Sequence, residues 1–256
     1  MKIFAVINQK GGTGKTTVAV NLASRLAGLG RSVLLVDMDP QGNATSGSGA
    51  DKQNLFGGTL DVLHGASLRD YLLCSTAGGY ALLGANYELA GADYALGNAE
   101  GWQTTLRRAL REKESQTGAL AEVVLIDCPP ALGALTVNAL VAADSVLIPM
   151  QCEYFALEGL SDLARTIRRL RQKWNPQLHI GGIICSMMDP RNLLARDISE
   201  ELRRHFGERV FNVAIRRNVR VAEAPSHGMP VLQYAPNSAG AAGYRALGDE
   251  FMERFL

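Results

Sequence analysis

Apolar residues come as short continuous runs separated by longer stretches of helical periodicity. The runs near 3–8, 33–37, 123–127, 145–149 and 180–186 are rich in Val, Ile and Leu. Unbroken runs of this kind belong to strands buried on both faces, as in a parallel sheet. Between and after them the pattern predicts helices near 15–28, 103–113, 134–142, 156–173, 192–206 and 241–255. Strands alternating with helices predict an α/β fold with a mostly parallel twisted sheet and helices on both faces. The stretch 42–101 is glycine-rich and weakly periodic, and predicts short helices with one strand near 80–83. No Pro/Ser-rich linker, repeat or long charge run interrupts the chain, so residues 1–256 read as one domain.

The tail adds a restriction. Tyr244, Leu247, Phe251 and Phe255 are spaced three or four apart, as on a helix packed against a core. Residues 244–256 carry two arginines against three acids, a balance that anionic lipid does not attract. No apolar stretch approaches the roughly 20 residues needed to span a bilayer. A core strand begins at residue 3, which leaves no room for a signal peptide or an N-terminal helix-turn-helix, so operator-specific repression by such an appendage is not expected.

The richest chemistry follows the first strand, in Gln9-Lys10-Gly11-Gly12-Thr13-Gly14-Lys15-Thr16-Thr17. Glycines let a backbone turn tightly and bring N–H groups against phosphate oxygens. The helix that follows points the positive end of its dipole at the same place. Lys15 fits the lysine that reaches β- and γ-phosphates, and the Thr16 hydroxyl fits a Mg²⁺ ligand. The strict pattern G-x-x-x-x-G-K-[ST] is not met, because Gln9 occupies its first glycine position. Lys10 is a second lysine that such a loop does not require.

Two further apolar runs end in carboxylates: Asp37, with Asp39 two residues on, and Asp127. Ligands of parallel sheets collect at the carboxyl ends of strands. An acid placed there can hold a metal-bound water or orient an attacking one. Each aspartate alone also suits a helix cap or turn. It is the phosphate loop beside them that favours chemistry.

The segments QKGGTGKTT, VLLVDMDPQGNATSG, VLIDCPP, PMQCEYFALEGL and RRNVRVAEAPSHG resemble, in order, those of the ParA/Soj-type partition ATPases. These belong to the deviant Walker A class, which also contains MinD. The resemblance runs from about Lys2 to the C-terminus. It implies a P-loop NTPase fold binding ATP and Mg²⁺, with the phosphates held at Gly11, Gly12, Thr13, Gly14, Lys15, Thr16 and Thr17. It implies that Lys10 contacts the nucleotide of a partner subunit in an ATP-sandwich homodimer. Lys15 and Thr16 resemble the Walker A lysine and the Mg²⁺-binding threonine. Asp39 matches the catalytic aspartate that positions water and, like the Walker B aspartate Asp127, is implied to hold Mg²⁺ through water. Asp37 is expected near the metal's water shell. Asn218 and the backbone of Arg216 match adenine-recognising positions. Thr13 and Arg216 depart from the family's usual valine and proline.

Composition adjusts this picture only at the edges. Four scattered cysteines without C-x-x-C pairing read as the reduced thiols of a cytoplasmic protein and offer no iron–sulfur site. The formal net charge of +1 attracts no polyanion globally. Between residues 160 and 220, however, 13 Lys/Arg face 6 acids, an excess of +7 suited to phosphate contacts without base reading. The resemblance assigns Arg191 and Arg220 to non-specific, ATP-dependent DNA binding. The expected function is slow ATP hydrolysis, stimulated by a ParB-type partner, that releases the dimer from the nucleoid and segregates a chromosome or plasmid. The alternatives are the same engine positioning a protein cargo, a MinD-like positioning ATPase, an ATP-gated DNA adaptor, and a small-molecule kinase or ligase.

Overall fold

The computed structural model describes residues 1–92, 96, 100–111, 121–154 and 156–256. Its centre is a seven-stranded sheet: β1 (Lys2–Val6), β2 (Val33–Asp37), β3 (Leu72–Leu73), β4 (Ala81–Leu83), β5 (Val123–Asp127), β6 (Ser145–Gln151) and β7 (His179–Ser186). The spatial order is β3-β4-β2-β5-β1-β6-β7. Every neighbouring pair is parallel except β3–β4, an antiparallel edge. A two-residue strand is too short to leave a hydrophobic pattern, which is why 42–101 showed only one.

Alternation along β1 splits the core into two layers. Ile3, Ala5 and Ile7 pack on one face with Val36, Ile126 and Leu140. Phe4 and Val6 pack on the other with Leu22, Leu35, Leu125 and Leu247. The helix Lys15–Gly28 and the tail helix Ala239–Phe255 cover this second face. Phe4 meets Phe251 and Phe255 edge-on at 4.8 and 5.1 Å between ring centres. Tail residues Tyr244, Leu247 and Phe251 are buried, as their spacing predicts.

Most predicted helices form within a residue or two of their expected bounds: Ala134–Ala142, Ala156–Lys173 and Leu193–Phe206. The one expected near 103–113 divides into a 3₁₀ turn, Trp102–Thr104, and a helix, Thr105–Arg111; positions 112 and 113 lie outside the described residues. Two short helices, Val219–Glu223 and Val231–Tyr234, carry no periodicity that could announce them. Among the described residues no helix is long and apolar enough to cross a membrane.

The register places the chemistry. β5 lies between β2 and β1, with Asp127 opposite Asp37 on one side and Val6 on the other. The chain leaves β1 toward β2, and leaves β5 toward β6 on the opposite side of β1. A crevice opens where strand connections diverge in this way. The phosphate loop, Asp37 and Asp127 all stand at its rim.

Candidate functional site

The loop 9–14 is an open cradle. Gly12 and Gly14 have φ of 74° and 86°, the left-handed region that side chains disfavour. A Cβ at Gly11 or Gly12 would meet no atom within 4 Å, so the space above them is not taken by protein. The loop's carbonyls are tied back. Gln151 Nε2 donates to the Gly12 oxygen at 2.8 Å, and Ser186 Oγ to the Thr13 oxygen at 2.7 Å. Thr13 is buried, so its departure from valine affects packing and the long 3.4 Å bond from its hydroxyl to the Lys10 carbonyl, not the cradle's rim. Gly14 opens the helix Lys15–Gly28 without a side-chain cap and without an acid in the first turn. Its first N–H groups and its dipole therefore remain for an anion. Lys15 is buried at the same point.

Asp127 is the most unusual group in the molecule. It is fully buried, and neither carboxylate oxygen receives a hydrogen bond. Burial pushes its pKa well up, the neighbouring Asp37 and Asp39 push the same way, and the Thr16 hydroxyl and Lys15 oppose them. A buried carboxylate without partners is costly. Beside a threonine hydroxyl and a phosphate cradle, it fits a Mg²⁺ ion held through water. Among the described residues no cluster of three His, Cys, Asp or Glu could hold a metal alone. Mg²⁺ in phosphate loops takes most of its ligands from phosphates and water, so none is required.

Asp39 and Asp37 divide their work. Asp37 accepts from the Thr45 N–H at 2.8 Å, the Thr45 hydroxyl at 2.7 Å and the Asp39 N–H at 3.1 Å. Its carbonyl accepts the Thr59 hydroxyl at 2.7 Å. Those bonds shape the turn that carries Asp39, an anchoring role that the sequence did not announce. Burial nevertheless raises its pKa to about 6, against the opposing Thr45 bonds. The Asp39 side chain accepts the Gln41 N–H at 3.0 Å through Oδ1, and no described residue donates to its Oδ2.

A cavity of about 480 Å³ adjoins the cradle at Gly14 and Thr17. Ser186, Met187, Ile215, Val219, Pro225 and Tyr244 line it, together with the predicted Arg216 and Asn218. Backbone bonds from Met188 N to Ile215 O and from Arg217 N to Met188 O, at 2.9 and 3.2 Å, fix the strip holding residue 216. A proline there is therefore not needed to hold the backbone. Asn218 caps the helix Val219–Glu223 through the Arg220 N–H at 3.0 Å. An apolar slot beside a phosphate cradle suits a planar base. Met187, Pro225 and Tyr244 escaped the sequence reading. Only the position of residue 187 just past a strand's carboxyl end could have flagged it.

Other predicted residues stand apart from the cradle. The Lys10 amine turns to Glu153 of the same chain, both about half exposed. Arg191 pairs with Asp189 at 3.1 Å and Arg220 with Glu223 at 2.8 Å. Cys128, Cys152 and Cys185 are buried and unbridged, and Cys74 is exposed.

Residues 1–180 match the profile of the AAA domain family. The chain is 48% identical to a chromosome-partitioning ATPase Soj of Thermus thermophilus, over 98% of this chain and 95% of that one. It is 44% identical to a chromosome partitioning protein ParA of Caulobacter vibrioides, over 99% and 95%. Among solved structures, a cobyrinic acid a,c-diamide synthase of Mycobacterium smegmatis, with bound ATP analogue and magnesium, superposes with a TM-score of 0.84. It is 35% identical, over 99% of this chain and 95% of that one.

Proposed function

We propose a function from one premise: the chain belongs to the AAA domain family, within the ParA/Soj-type partition ATPases. It is an ATPase that uses ATP and Mg²⁺. One observation carries the local reading, namely the unpartnered, buried Asp127 carboxylate at the rim of an open glycine cradle. The backbone N–H groups of 11–16 and the Lys15 amine bind the phosphates. Thr16 and, through water, Asp127 hold Mg²⁺, which when bound offsets charge on the β- and γ-phosphate oxygens. Asp39 orients the attacking water from its free oxygen. The cavity beside Thr17 takes the adenine.

The finer reading is a cycle. ATP binding joins two copies, with Lys10 leaving Glu153 for the partner's phosphates. The dimer holds DNA through phosphate contacts that include Arg191 and Arg220. Hydrolysis, stimulated by a ParB-type protein, ends the dimer and releases the DNA, so the protein partitions a chromosome or plasmid on the nucleoid. What supports this is the half-exposed position of Lys10 outside its own cradle, together with the names of the relatives. The test is Lys10→Ala with Mg²⁺ and a slowly hydrolysed ATP analogue in size-exclusion chromatography. The variant is expected to bind nucleotide yet elute as a monomer where the parent elutes as a dimer. A full dimer from the variant removes the trans role.

The Mycobacterium smegmatis structure favours a second reading, amide formation on a tetrapyrrole carboxylate. That activity predicts ATP consumption dependent on cobyrinic acid and an amide nitrogen donor, with no ATP-dependent dimer.

A further inference from the structure

We infer that Gln151 is a positioning residue for the phosphate loop, acting through the Gly12 carbonyl, and that it joins the loop to the wall of the base cavity at Met187. Gln151 ends β6 and stands opposite Ser186 at the end of β7. The two side chains donate to consecutive loop carbonyls, those of Gly12 and Thr13. The task needs doing because of the glycines. A Cβ at Gly11 or Gly12 would meet nothing within 4 Å, so no side-chain packing braces this stretch, and a rotated peptide would aim a carbonyl oxygen at the phosphates. Holding both carbonyls outward leaves the N–H groups as the face the nucleotide meets.

The second half of the inference rests on the same amide. Gln151 Nε2 also lies 3.1 Å from Met187 Sδ, so its two hydrogens serve the loop and Met187 together. Turning the amide over would set Oε1 against the Gly12 oxygen, so the bonding pattern fixes its orientation. Met187 lines the base cavity, has φ of 51°, and is the only described non-glycine residue with positive φ. Its Cε lies 3.6 Å from where a Cβ on Gly14 would stand. One side-chain amide therefore touches the phosphate loop and the residue that closes the base cavity against it.

This rests on the reading of the loop as a nucleotide site, and the test separates the two. Calorimetric titrations with Mg²⁺–ADP and with adenosine are run on the full chain, on Gln151→Met, which keeps length but loses the donor, and on Gln151→Glu. The expected result is about ten-fold weaker ADP binding for Gln151→Met, the loss of one well-placed hydrogen bond. Gln151→Glu falls further, about a hundred-fold, because a carboxylate repels both the Gly12 oxygen and the phosphates. Adenosine affinity falls by less than ADP affinity in Gln151→Met, because adenosine meets only the Met187 side of the amide's contacts, whereas a merely structural role would lower both alike. Undiminished ADP binding by Gln151→Met overturns the inference, as does an equal loss for ADP and adenosine. Failure of the parent chain to bind ADP removes the nucleotide reading itself.

Discussion

Replacing Asp127 by Asn is expected to stabilise the nucleotide-free protein while abolishing its activity. Asp37 sets the scale. Its pKa of about 6, against an ordinary 3.8, corresponds to about 3 kcal/mol lost at neutral pH on keeping it charged in the fold. Asp127 is equally buried, lies opposite Asp37 in the β2–β5 register, and has only the nearby Thr16 hydroxyl and Lys15 to offset the burial, neither within hydrogen-bond geometry of its oxygens. An amide removes the charge and the mutual repulsion. It also leaves a buried polar group, which costs about 1–2 kcal/mol. The net gain is about 1–2 kcal/mol, or roughly 2–8 °C in melting temperature for a chain of this size.

The sign with pH follows from linkage. A carboxyl whose folded pKa is raised keeps its proton in the fold while the unfolded chain has lost it. Stability therefore falls as pH rises from the unfolded pKa through the folded one. For Asp37 that window runs from 3.8 to about 6. The advantage of Asp127→Asn is largest above neutrality and shrinks as acid neutralises Asp127 in the parent. The assay is scanning calorimetry in EDTA without nucleotide, at pH 7.5 and pH 5. A lower melting temperature for the variant at pH 7.5, or a gain undiminished at pH 5, refutes the reasoning. Mg²⁺–ATP should then raise the parent's melting temperature more than the variant's, because only the parent has a carboxylate for the metal's water.

Asp39→Ala is expected to keep the ATP-induced rise in melting temperature and lose about a hundred-fold or more in phosphate release, since its role is to orient water and not to bind phosphate. Equal loss of both assigns Asp39 to binding instead. Arg220→Glu should lower DNA affinity at least ten-fold and reduce the slope of log affinity against log salt by about one, with nucleotide-dependent dimerisation intact. DNA affinity that survives at moderate salt removes Arg220 from the interface.

The sheet was legible in the sequence because its central strands are buried on both faces and carry unbroken apolar runs. The phosphate loop was legible because few other structures call for its glycines with Lys15 and Thr16 between a strand and a helix. Asp37 and Asp127 were visible as acids ending such runs, with Asp39 two residues past the first. Their different burdens were not, since those depend on cross-strand register and on Thr45, eight residues beyond Asp37. The base cavity was half visible. Arg216, Asn218 and Pro225 came with a recognisable segment, although it gave Pro225 no role, whereas Met187 and Tyr244 converge from distant parts of the chain and share no local pattern. Gln151 looks like any polar strand end until the loop it holds is folded beside it.

The surface cations and the buried aspartates differ in what they can contribute to a nucleotide-driven change. Lys10, Arg191 and Arg220 each pair with a carboxylate of their own chain, and all three pairs are exposed. Exposed pairs are worth roughly 0–1 kcal/mol, so a phosphate can displace such a carboxylate at little cost, but releasing it supplies almost nothing. These pairs are permissive: they keep the cations placed without committing them. Asp37 and Asp127 are the reverse. Burial and mutual repulsion disfavour their charged forms in the empty site, and that penalty would fall once Mg²⁺ and a nucleotide supplied positive charge and ordered water. A switch of about 100:1 needs about 2.7 kcal/mol of differential binding. The buried aspartates are the groups whose surroundings a bound Mg²⁺ and nucleotide would change most, in the direction that favours their charged forms. In the proposed cycle the drive for a nucleotide-dependent state would therefore sit at the carboxyl ends of β2 and β5, with the surface cations following it.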